Sequence, residues 1–281
     1  MSSANLSREE TAARSVSLTV HTARVELDLT TAPHEGETGF TTVSTLQIET
    51  DAAAPGSADT GVETWVDFIG EAVEAVDVDG IPHPVEWDGA RIRIGGLRGR
   101  HSVRIAARAA YSRSGEGMHR FVDPVDGQTY LYTHYEPADA RRVMACFEQP
   151  DMKARYTFVV TAPAGWAVLS NQAVAERTTE GGAQRVVFAE TLPISTYITS
   201  VAAGPYHRVE GSGAVASRSC RWASTAGRRS PSTSTPTRSS RSPGRVSTFS
   251  PTPSATRTRG ASTTRSSCPS TTSARWRTRV S

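Results

Sequence analysis

Lysine is almost missing from this chain of 281 residues: Lys153 stands alone against 30 arginines. That ratio points to a GC-rich coding sequence, because arginine codons are mostly GC-rich and lysine codons are not. Cysteine is scarce too, with Cys146, Cys220 and Cys268 only, so neither a disulfide framework nor a CxxC metal knuckle can be built. Long apolar runs are absent. Nothing approaches the roughly 18 consecutive apolar residues of a membrane helix. The start, MSSANLSREETAARS, has no apolar stretch of the kind a signal peptide needs. A cytoplasmic location and no membrane partner are expected. HExxH, the P-loop, GxSxG and the dinucleotide-binding glycine pattern are all missing, which removes the helical zinc pair and the common phosphate- and nucleotide-binding loops.

Acid is missing from one part only. Residues 212–281 hold 13 arginines and no Asp, Glu or Lys, whereas residues 1–211 hold all 28 acids and 18 basic residues. The front is therefore at −10 and the tail at +13, which together give the net +3. The overall basicity describes neither part and is no nucleic-acid signature of the whole.

The front carries the structural signals. Ser7-Arg8-Glu9-Glu10 fits a capping box and predicts a short helix over 8–15. The period then changes to two in Val20–Leu29, Thr42–Glu49 and Arg91–Ile94, which predicts half-buried strands. Asp79-Gly80, Asp88-Gly89, Gly95-Gly96 and Asp126-Gly127 supply turns. Further strands are expected at 130–135, 156–161, 167–170, 185–188 and 197–203. Many short strands with almost no helical period indicate a mostly β fold, an antiparallel sandwich or saddle over residues 1–211.

The densest run is SGEGMHRFVDPVDGQTYLYTHYEPADARRVMACFEQPD, Ser114 to Asp151, rich in aromatic, acidic and histidine residues. Glu136 follows the strand Tyr130–Tyr135. A carboxylate at a strand end, facing a cleft, can hold an ammonium group; a surface glutamate paired with Arg141 or Arg142 is the plainer alternative. His134 lies two residues earlier, on the same face of a strand. It could ligate a metal or serve packing, and His119 and Glu116 pose the same choice.

This run closely resembles the N-terminal domain of aminopeptidase N-type zinc aminopeptidases in their actinobacterial form. The likeness continues in order through APAGWAVLSN, Ala162–Asn171, and ISTYITSVAAGPYH, Ile194–His207, and spans roughly residues 4–210. It implies a saddle-shaped β domain ahead of a thermolysin-like catalytic domain, and release of the N-terminal residue of peptides by a zinc-bound water. It implies that Glu136 holds the substrate's α-amino group. His134 stands where the family has a pocket-lining glutamine. Asp139, Arg141 and Arg142 fit an ion-pair corner. The GAMEN-type loop and the zinc motif that should follow are not in this chain, so no catalytic residue, no zinc site and no peptidase activity are expected from it alone.

The tail, 212–281, reads as a disordered Arg/Ser/Thr/Pro segment. The alternative function is a noncatalytic β-sandwich binding module whose basic tail contacts nucleic acid, and the resemblance makes that partner unexpected. The tail also reads as translation out of frame. If the first two bases of each tail codon are bases two and three of the true codon, Pro253–Thr264 permits FGYPYPWGKYD and Ser267–Ser281 permits VPEYNIGAMENPGL. The second contains the missing loop, and Trp276 supplies two bases of its methionine. A change of frame near 211–220 is expected.

Overall fold

The computed structural model describes residues 5–51, 61–215 and 218–226. Helix α1 (Arg8–Ser17) begins at the predicted capping box: Glu10 N–H donates to Ser7 Oγ at 3.2 Å, and Ser7 N–H donates to the Glu10 carboxylate at 2.8 Å. Arg14 is the one buried residue of this helix, and Val16 is 63 % exposed. The helix therefore has no apolar stripe to seat it on the rest of the fold.

Glu10 makes one of the contacts that replace such a stripe. Its carboxylate accepts from both Arg91 terminal nitrogens, at 2.6 and 3.1 Å. The Arg91 hydrogen bond first, and the Ser7 N–H next, pull the Glu10 carboxyl down to about 2 from an ordinary value of 4.5. A lowered folded value means stability that is present above pH 4.5 and lost as the pH falls toward 2. Glu10→Gln should therefore lower the urea midpoint at pH 7, with a gap to wild type that closes between pH 4.5 and 2. The group is a third exposed, so the gap should stay below about 1 kcal/mol.

The strands follow in chain order: β1 (Leu18–Asp28), β2 (Gly39–Thr50), β3 (Val62–Asp67), β4 (Ala72–Val78), β5 (Ile81–His83), β6 (Arg91–Leu97) and β7 (Arg100–Ser112). After these come β8 (Gly117–Val122), β9 (Thr129–His134), β10 (Arg155–Pro163), β11 (Ala167–Ser170), β12 (Val174–Glu180), β13 (Ala183–Phe188) and β14 (Val201–Gly204). Last are β15 (His207–Val215) and β16 (Arg218–Ala226). Twelve of them form one sheet, ordered β11-β14-β9-β8-β7-β2-β1-β10-β13-β12, with β4 on β7 and β5 on β4. β3 pairs with β6, and β15 with β16, as separate ribbons. The fold is mostly β and mainly antiparallel. Two pairings, β1 with β10 and β7 with β8, are parallel.

Alternation builds the core. Val25 sits opposite Ser44 on β2 and Phe158 on β10, and Ser44 opposite Ile105 on β7, so one face of four strands is buried row by row. The other face carries charge, where Arg24 and Arg185 both approach Glu26. β12 is exposed on both faces. Residues 197–203 depart from the strand expected there: Thr196–Ile198 make a 3-10 turn before β14 begins at Val201. The β15–β16 ribbon runs past residue 211, so regular backbone reaches Ala226. The tail expectation for 216–217 and 227–281 lies outside the described residues, as do all the segments quoted for the shifted frame.

Candidate functional site

The strand–turn segment from β9 to Asp151 brings the predicted residues together. β9 ends at His134, whose backbone faces Gly117 on β8. His134 points outward, Tyr135 is buried at 2 %, and Glu136 points outward again. His134, the last residue of β9, and Glu136, two residues beyond the strand, are both exposed. The Glu136–Pro137 peptide bond is cis.

The turn beyond Glu136 is fastened at several points. Asp139 N–H returns to Tyr135 O at 2.9 Å, and Ala140–Arg142 form a 3-10 turn. Arg142 Nε bonds Asp139 at 2.7 Å, the ion-pair corner expected there, and Arg141 Nε donates to Ala138 O at 2.9 Å. Gly117 has φ +63°, and a Cβ on it would lie 2.9 Å from Arg142 Cβ. Glycine is needed here both for the backbone angle and for the close approach.

Beneath the turn lies a polar knot that sequence reasoning missed. Glu148 Oε2 accepts from Arg141 N–H at 2.8 Å, and its other oxygen accepts from the Thr196 hydroxyl. Glu148 N–H donates to Asp67 at 3.0 Å. Asp67 also exchanges backbone hydrogen bonds with Cys146, at 2.8 and 3.1 Å. Burial drives the Glu148 carboxyl up, against the pull of its Thr196 and Arg141 hydrogen bonds. Glu148 thereby ties the turn that carries Glu136 to the 194–199 segment. Burial likewise pushes the Cys146 thiol well up, which removes it as a nucleophile.

The remaining candidates separate. His119 packs its ring on Tyr132, centroids 5.0 Å apart, and desolvation lowers its proton affinity, as for a packing histidine. Glu116 accepts from the Ser114 hydroxyl at 2.5 Å, and that bond, ahead of the nearby Arg142 charge, lowers its carboxyl. Among the described residues no three or more His, Cys, Asp or Glu side chains gather to hold a metal ion. Among the same residues no helix is long and apolar enough to cross a membrane.

Comparison with known proteins bears on this geometry. Residues 95–198 match the family described as the Peptidase M1 N-terminal domain. The chain is 42 % identical to aminopeptidase N of Streptomyces lividans over 212 residues, which is 74 % of this chain and 23 % of that protein. It is 34 % identical to human glutamyl aminopeptidase over 97 residues, 34 % of this chain and 10 % of that one. In three dimensions it is similar to the crystal structure of an M1 zinc metallopeptidase from Deinococcus radiodurans, with a TM-score of 0.63 at 17 % identity, covering 78 % of this chain and 50 % of the other. A variant of that enzyme has been crystallised with a Tyr-Ser-Ala substrate, and it matches with a TM-score of 0.61 at 17 % identity over 79 % of this chain and 50 % of the other. The chain thus spans about a quarter of the length of its Streptomyces relative.

Proposed function

Since the β unit of this chain is an N-terminal domain of the M1 peptidase family, we propose that it supplies the amine-recognising wall of a zinc-dependent aminopeptidase acting on peptides. The observation that carries this is the outward-facing Glu136, held at the end of β9 by a turn fixed from below through Glu148 and Arg141. A fixed carboxylate at a strand end attracts the α-ammonium of a peptide N-terminus, and a rigid mount keeps it from losing that geometry. His134, on the same side, borders the first residue of the substrate. Zinc belongs to the catalytic domain that would follow in the whole protein, where it activates a water; none of the residues described in this chain is assigned to it.

The same reading makes this chain a cytoplasmic binding unit with no peptidase activity of its own, its residues beyond about 211 translated out of frame. Purified chain with zinc and an aminoacyl anilide should show no release above a protein-free control; turnover would refute the reading. Nucleotides spanning codons 205–225 should show the change of frame. A gene restored at that point should yield a zinc-dependent aminopeptidase. In that enzyme Glu136→Ala should lower kcat/KM by about 100-fold or more, the scale of an uncompensated charge pair.

A further inference from the structure

Arg14 occupies a pocket that α1 does not build. Its side chain is 1 % exposed. Nη1 lies 2.8 Å from Asp67 Oδ2 and 3.5 Å from Trp65 O, and Nε lies 3.1 Å from Gln149 Oε1. The guanidinium carbon stands 4.8 Å from the Trp65 ring and 5.5 Å from the Phe147 ring. Every one of these partners belongs to β3 or to the 147–149 segment. The Asp67 carboxylate is held in place without α1, by Trp65 Nε1 at 3.1 Å and Glu148 N–H at 3.0 Å. A carboxylate, a carboxamide and two aromatic rings around one flat cation are the features that suit a guanidinium, and a lysine ammonium could not reproduce the fork and the stacking together.

The other ties of α1 are polar as well. Glu10 meets Arg91, whose guanidinium carbon also lies 4.8 Å from the Trp65 ring. Gln149 Nε2 donates to Thr11 O at 3.0 Å, and Ser15 Oγ donates to Asp151 at 2.6 Å. The apolar core draws no residue from α1. A ten-residue helix is marginal on its own in water, so α1 holds its shape only while docked, and the sheet has no apolar need of it.

We propose that the Trp65–Asp67–Phe147–Gln149 cradle is an arginine-recognition site, filled in cis by Arg14, and that α1 is a clasp that can be displaced while the sheet stays folded. The ligand class is a singly substituted guanidinium, the side chain of arginine. An emptied cradle keeps a buried carboxylate without its cation, which is what draws a second arginine in.

Hydrogen exchange on the full chain tests this. In wild type, amides of 8–17 should exchange at least about 10-fold faster than those of 40–48 in β2, as expected of a locally opening unit. In Arg14→Ala the 8–17 amides should lose all protection while those of β2 keep theirs. Arginine amide should then raise the melting midpoint of Arg14→Ala at concentrations where lysine amide does nothing. Arg14→Lys should behave as Arg14→Ala rather than as wild type. The proposal is overturned if α1 in wild type is as protected as β2, if β2 loses protection together with α1 in either variant, or if the two amides act alike. A variant that fails to fold counts as the second of these.

Discussion

Asp67→Ala should cost about 3–5 kcal/mol of stability, because removing one partner of a buried ion pair leaves the other charge uncompensated. The stranded group is Arg14, at 2 % exposure. Three hydrogen bonds to the carboxylate vanish with it, from Arg14, Trp65 and Glu148. Release of α1 into water relieves the stranded cation and holds the loss near the lower end of the range. The backbone hydrogen bonds between residue 67 and Cys146 survive the substitution, so the junction between β3 and the Glu136 turn should persist. Urea unfolding followed by circular dichroism measures the cost. A loss under 1 kcal/mol would show that the Arg14–Asp67 pair does not hold this corner.

Phe158→Ala should cost about as much, 3–5 kcal/mol, by a different route: lost transfer energy plus the cavity left behind. Phe158 is 1 % exposed, on a strand flanked by β1 and β13, with its ring 6.2 Å from that of Tyr156. Neighbours on both sides are fixed by ladders and cannot collapse into the void. Phe158→Leu should recover more than half of the loss. The opposite face offers the control, since Glu26→Gln touches only exposed arginines and should shift stability by less than about 0.5 kcal/mol.

The sequence was most legible where one face of an element meets water and the other meets the core. α1 was readable from its cap, and β1 and β2 from their alternation. β12 was not, because VAERTTE is exposed on both faces and has no period to read. β7, the longest of the described strands, hides its alternation behind small alanines at 106, 107, 109 and 110. The parallel register of β1 on β10 has no local sign at all. At the site, attention to His134 and Glu136 followed from spacing and from resemblance to a family, and both residues are exposed. The knot below it did not. Asp67, Glu148 and Gln149 read as ordinary polar residues, and only the three-dimensional meeting of segments some eighty residues apart makes them a unit. One clue was present: a short helix with a good cap and no apolar stripe must be seated by something else.

The pairing of β1 with β10 sets the order in which this molecule can form. Leu18–Asp28 has one neighbour close in sequence, β2, and the other only at Arg155–Pro163. α1 likewise waits for Gln149 and Asp151. A chain emerging from the ribosome can assemble β1, β2 and β7 early, yet the centre of its sheet stays open on one side until Arg155–Pro163 have been made. Such a high-contact-order topology belongs to the slow end of single-domain folding, on the order of milliseconds to seconds. Until the late strand arrives, the nascent sheet presents the unpaired edge of β1 to whatever strand or chaperone is near.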